Sequence, residues 1–145
     1  MFGRFLLAAT LLLPPGPVIR GFEPPPGPYA PGHRGVDVAA VPGDFVKAPT
    51  EGVVTFVGRV NDRPIVSITH DEQIVSLEPV EGSVVFGDVV RAGDVIGIVG
   101  TGGHCSLRCV HIGIRVRGIY VDPLRSRRRL LPVSRWRDVS HTPER

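Results

Sequence analysis

From Val36 onward the chain alternates short apolar runs with polar breaks. The runs fall at 36–38, 53–57, 65–68, 74–77, 84–86, 95–99, 110–116 and 120–121, are rich in Val and Ile, and are cut by Gly, Pro, Asn or Asp. Closely spaced runs of this kind predict antiparallel strands in a single sandwich or barrel-like domain, and the expected fold class is all-β. Asn61-Asp62 and His70-Asp71 fall between runs and suit hairpin turns. Helix signals are nearly absent. Gly43-Asp44-Phe45-Val46-Lys47-Ala48 and Gly87-Asp88-Val89-Val90-Arg91-Ala92 agree in residue or chemical type at each position. They predict two copies of one supersecondary unit, a duplicated hybrid motif.

Before this pattern the chain reads differently. Arg4 precedes an unbroken apolar run at 5–13, too short to span a bilayer and suited to a secretory signal segment over residues 1–16. Residues 14–32 hold prolines at 14, 15, 17, 24, 25, 26, 28 and 31, so no packed helix runs through them. Residues 17–30 are accordingly an extended lead-in, 31–124 the β domain, and 125–145 an Arg-rich tail suited to anionic surfaces through charge alone. The 145 residues, 42% hydrophobic, bury one core and not two. Gly 18 and Pro 15 are high for a helical protein and fit strands and turns. A formal charge of +3, with every basic residue but Lys47 an arginine, gives no dense basic stripe, which argues against nucleic acid. Export would place the chain in the cell envelope or outside the cell. Contact with a membrane is expected only through an uncleaved N-terminal segment.

The candidate chemistry lies at both ends of the β pattern. His33 and Asp37 stand four residues apart around Gly35, in Pro31-Gly32-His33-Arg34-Gly35-Val36-Asp37. Fully extended, their Cα atoms would lie about 13 Å apart, so shared coordination requires a bend that Gly35 must allow. Cys109 and His111 lie on one face of a strand by alternation. Imidazole nitrogen and carboxylate oxygen are ordinary zinc ligands, and three of them with an open fourth position form the usual catalytic zinc site. His33, Asp37 and His111 are such a set.

The ordered series extends further: His33-x-x-x-Asp37, then Val46-Lys47-Ala48-Pro49-x-x-Gly52-Val53-Val54, then Gly87-Asp88-Val89-Val90-x-Ala92-Gly93-Asp94-x-Ile96-Gly97-x-x-Gly100, then Val110-His111-Ile112-Gly113-Ile114-Arg115 and Val121-Asp122-Pro123-Leu124. Over residues 31–124 it resembles the lysostaphin-like, LytM-type zinc endopeptidases, the twenty-third metallopeptidase family, which cut peptide cross-links of bacterial peptidoglycan. The resemblance implies an antiparallel β domain with a groove over the metal, zinc held by His33, Asp37 and His111, and peptidoglycan peptide as substrate. Two positions depart from it. Where the family has a catalytic histidine two residues before the last ligand, this chain has Cys109. Where the family has Tyr-x-His-Leu, it has Leu77-Glu78-Pro79-Val80. Positioned acid–base groups supply about 10²–10⁴-fold in rate, so their loss bears on turnover more than on binding. Glu78 and His104 are the candidate substitutes, Glu78 beside the lost histidine and His104 in the glycine-rich loop before Cys109.

Cys105 and Cys109 flank three residues. An exported chain with an even cysteine count favours a disulfide between them, whereas Cys109 as a fourth zinc ligand would close the coordination shell and make the site structural. The leading expectation is an exported zinc metallopeptidase-like domain. The alternative is a catalytically degenerate module that binds wall peptide or regulates another cell-wall hydrolase through the same groove. A lipoyl or biotin carrier would need its modified lysine at a hairpin tip, and Lys47, the only lysine, precedes Ala48-Pro49 at a strand start.

Overall fold

The strands form because β-branched residues alternate with polar ones, and they associate because each leaves one apolar face to bury. A computed structural model describes residues 16–128. Its elements are β1 (Val18–Arg20), β2 (Val36–Ala39), β3 (Phe45–Lys47), β4 (Gly52–Val60), β5 (Arg63–His70), β6 (Gln73–Glu78), β7 (Val80–Gly82), β8 (Val89–Val90), β9 (Val95–Val99), β10 (Cys109–Val116), β11 (Ile119–Val121) and the short helix α1 (Pro123–Arg128). All pairings are antiparallel. The larger sheet runs β1-β2-β10-β6-β5-β4-β8, with β11 also on β10, and the smaller runs β3-β9-β7. The all-β expectation holds. No helix among the described residues is long and apolar enough to cross a membrane.

Alternation divides the large sheet into two faces. Val36 and Val38 of β2, Val66 and Ile68 of β5, Val75 and Leu77 of β6, and Val110, Ile112 and Ile114 of β10 are buried in one core cluster. Burying each stabilises the sheet by about 1.5–3 kcal/mol. A slip of one residue would forfeit that and turn the polar set inward, so the core fixes the register on which the opposite face depends. On that opposite face stand Asp37, Ser67, Ser76, Glu78 and His111.

The turns follow the sequence closely in two places. Asn61, with φ 56°, lies in the two-residue connection between β4 and β5, and Asp71, with φ 52°, opens the turn from β5 to β6. The Gly-Asp repeat is a turn: Gly43 and Gly87 have φ 91° and 93°, and the following Asp44 and Asp88 carboxylates accept hydrogen bonds from Val41 N and Val85 N. Positive φ at the third turn position is where glycine is needed. The two copies then part, one entering the small sheet as β3 and the other the large sheet as β8. The same turn recurs at Gly93-Asp94, where Asp94 accepts from Arg91 N.

The run at 84–86, expected as a strand, lies within the second of these turns. Strand pairing occurs on either side, in β7 and β8, because the Asp88 carboxylate and the Val85 carbonyl close the chain on itself. The proline-rich lead-in is stitched to the sheet: β1 pairs with β2, and Glu23 exchanges backbone hydrogen bonds with His33. Residues 125–128, read as the start of the tail, lie within α1. The apolar run at 5–13 and the tail beyond 128 lie outside the described residues.

Candidate metal centre

The centre begins with a strand register. β2 and β10 pair so that His111 stands opposite Asp37, while β10 and β6 pair so that the same His111 stands opposite Glu78. Directly opposed residues share a face, so two carboxylates flank one imidazole. His111 Nδ1 lies 2.7 Å from Asp37 Oδ1. His33 arrives from the irregular segment before β2, fixed by its backbone exchange with Glu23, and its Nε2 lies 3.0 Å from the same Oδ1. His104 arrives from the loop before β10 and sets its Nε2 3.0 Å from both oxygens of Asp37.

Gly35 serves this arrangement through space. A Cβ there would overlap the Ile112 carbonyl oxygen and come within 2.7 Å of the His111 ring. The bend expected of Gly35 is therefore accompanied by a close packing of β10 and the His111 ring against its bare Cα.

The residues fit a divalent cation, and the hydrogen bonds say why. His33 Nδ1 lies 2.7 Å from the Gly21 carbonyl oxygen, which can only accept, so Nδ1 carries the proton. A neutral ring then turns the lone pair of Nε2 toward Asp37 Oδ1, itself a lone-pair acceptor. Two lone pairs 3.0 Å apart require a cation between them, either a second proton on the ring or a metal. His33 and Asp37 are both buried, at 4% and 3% exposure, which makes an uncompensated charge costly. Burial pushes the Asp37 carboxyl up, but hydrogen bonds from His111 and His104, together with charge on those rings, outweigh it and bring the pKa from 3.8 down to about 2. Asp37 is thus ionised at neutral pH. One ligand atom from each of His33, Asp37, His104 and His111 lies within 4.8 Å of the others. Imidazole nitrogens with one carboxylate form a zinc-type donor set.

The other sequence candidates fall around this cluster. Glu78 does not reach Asp37; its Oε1 is 3.0 Å from Arg63 Nη1, in an ion pair that is 32% and 15% exposed. Cys109 shares a face with His111 and is joined to Cys105 in a disulfide, with Cα atoms 4.7 Å apart. A groove of about 390 Å³ is lined by His111, Glu78, Ser67 and Ser76 together with Arg34, Arg63 and Arg115. Sequence reasoning did not single out these arginines or the Gly21 carbonyl. Arg115 was within reach, since it follows His111 by four residues on one strand and so lies on the same face. Arg63 and Gly21 meet the site only through tertiary contacts.

A family model described as peptidase family M23 matches residues 31–123. An uncharacterised protein of Mycobacterium tuberculosis is 40% identical over 120 residues, which cover 78% of this chain and 48% of that one. The DD-carboxypeptidase/endopeptidase Mpg of Neisseria meningitidis serogroup B is 34% identical over 100 residues, 63% of this chain and 22% of that one. The chain therefore spans about half the length of the first curated relatives it matches, and less of others. Among solved structures, a catalytic-domain variant of the prophage-encoded M23 protein EnpA of Enterococcus faecalis superposes with a TM-score of 0.66 at 27% identity, covering 79% of this chain and 94% of that one.

Proposed function

The chain belongs to peptidase family M23, and from that premise we propose that it is an extracytoplasmic zinc peptidase acting on peptide cross-links of bacterial peptidoglycan. The observation that carries this is the cluster of His33, Asp37 and His111, two of them buried and the third, His111, lining an arginine-bearing groove. His33, Asp37 and His111 hold the zinc. When bound, zinc polarises a carbonyl and lowers the pKa of water to about 7.

The chain's own residues supply the rest. The Gly21 carbonyl fixes the His33 tautomer, so that Nε2 is always the ligand atom. His104, with a side chain 42% exposed, approaches Asp37 from the open side and moves the proton at Nε2 that the family's missing histidine would move. Glu78, paired with Arg63 beside His111, is the second carboxylate facing the groove. Arg34 and Arg115 line the groove and suit a peptide bearing free carboxylates. The Mpg relative is named as a carboxypeptidase and endopeptidase, which favours cell-wall peptide as the substrate class. The test is incubation of the purified chain with cross-linked peptidoglycan, with and without chelator, while counting free amines. Chelator-sensitive release is expected.

One observation favours a second reading. Neither histidine that the family uses in catalysis stands in this chain, the positions being Cys109, locked in a disulfide, and Pro79. On that reading the domain binds wall peptide, or a cell-wall hydrolase, through the same groove without cutting it. Zinc-dependent retention on peptidoglycan with no release of amines would select it.

A further inference from the structure

Beside the His/Asp cluster lies a second group of potential ligands that the oxidised chain cannot use. Ligand atoms of Asp37, His104, Cys105 and Cys109 lie within 4.8 Å of one another. Cys105 Sγ is 3.6 Å from His104 Nε2, and both cysteines are buried, at 1% and 4% exposure. Cys105 and Cys109 are i and i+4 on one tight turn, closed by hydrogen bonds from Arg108 N and Cys109 N to the Cys105 carbonyl. That spacing presents two side chains to one side, as in helical metal-ligand pairs. Only the S–S bond keeps both sulfurs from acting as thiolates.

The geometry points to a redox-gated metal site: reduction of the Cys105–Cys109 disulfide creates a thiolate centre of Cys105, Cys109, His104 and Asp37 that takes a soft or borderline divalent cation such as zinc. A dithiol reductant attacks one sulfur, forms a mixed disulfide, and leaves as its own cyclic disulfide, so that two electrons and two protons end on Cys105 and Cys109. Cation binding then displaces the two thiol protons. Two thiolates, one imidazole and one carboxylate make a closed four-coordinate shell with no position left for water or substrate. Thiolates also prefer zinc over harder cations.

Asp37 belongs to both sets, so the two centres compete for its carboxylate. The inference rests on the preceding reading only in that Asp37 and His104 face a metal. Its consequence for that reading is that reduction moves the ion from an open centre to a closed one and stops turnover. The disulfide thus keeps two competing ligands away from the open site, in addition to pinning the loop that carries His104.

The test uses cobalt(II) as the probe on the full chain. Reduction is by a water-soluble phosphine, which becomes its oxide as water supplies the oxygen and the two protons, and which adds no thiol of its own. A near-ultraviolet thiolate-to-cobalt charge-transfer band should appear on reduction and be absent before it. In the His33→Ala/His111→Ala variant, the oxidised chain should bind no cobalt and the reduced chain one equivalent, with the same band. Cys105→Ser/Cys109→Ser should show no band in either state, and His104→Ala should weaken cobalt binding in the reduced form at least tenfold. The proposal is overturned if the reduced His33→Ala/His111→Ala chain binds no cobalt or shows no band. It is equally overturned if the band survives in urea, or if reduction abolishes the β-sheet circular dichroism. If the oxidised parent binds no metal while the reduced chain does, the peptidase reading fails and this one stands.

Discussion

His111 and Asp37 face each other across the antiparallel β2–β10 pair, with Nδ1 2.7 Å from Oδ1, and the register that opposes them is set by Val36, Val38, Val110 and Ile112 on the reverse of the same two strands. The centre therefore inherits its geometry from the core. Residues that never touch substrate decide whether the imidazole and the carboxylate meet.

Metal occupancy should depend on all three proposed ligands. His33→Ala, Asp37→Ala and His111→Ala are each expected to reduce bound zinc in the oxidised chain from about one equivalent to near zero, measured by elemental analysis after dialysis. Stoichiometric zinc in any one of them would remove that residue from the ligand set.

Gly35→Ala should cost both stability and metal. The added methyl meets the Ile112 carbonyl and the His111 ring, so β10 or the ring must move. Overpacking of this kind costs about 1–3 kcal/mol, read as a lowered urea midpoint, with weakened zinc affinity alongside. Gly27→Ala, where a Cβ meets nothing within 4 Å, is the control and should leave both unchanged.

Loss of proton transfer should separate from loss of metal. If the parent cleaves peptidoglycan, His104→Ala is expected to lower kcat about 10²–10⁴-fold with zinc occupancy retained. Glu78→Gln, which keeps the shape but weakens the Arg63 pair, tests the carboxylate in the same assay. Full activity in His104→Ala with loss in Glu78→Gln would move the role to Glu78.

Arg115 should act on binding. Its guanidinium lies 5.8 Å over the Tyr120 ring and lines the groove. Removing a charge-assisted contact costs about 1.5–3 kcal/mol, so Arg115→Ala is expected to raise KM about tenfold or more with kcat little changed. Substrate with its peptide carboxylates amidated should erase the difference between parent and variant.

The metal-free protein should lose stability in acid through Asp37. Its folded pKa, about 2, lies below the ordinary 3.8, so the stabilisation is fully present above 3.8 and is lost as pH falls through about 2. The shift corresponds to about 2 kcal/mol. Urea unfolding of chelator-treated protein at pH 6 and pH 2, compared with Asp37→Asn, measures it. The parent should lose that margin over the variant between the two pH values.

The strands of this protein were legible in the sequence because burial on one face of a sheet writes a period of two into the side chains, as at Val36-Asp37-Val38 and Val110-His111-Ile112. The Gly-Asp repeat was legible as a repeat, but that each copy is a turn, with glycine at positive φ and the next carboxylate closing it, was decided by the structure. The ordered motif series singled out His33, Asp37 and His111, since they match by position the zinc ligands of the family the series resembles. What the sequence did not carry was distance between segments far apart in the chain. The His104 contact with Asp37 spans 67 residues and the Arg63–Glu78 pair joins two strands, while the Gly21 carbonyl reaches His33 from a stretch that composition alone marks as a loose lead-in. The nearness of both cysteine sulfurs to Asp37 belongs to the same class. Alternation tells which face a side chain takes, but only pairing in three dimensions tells what it meets there.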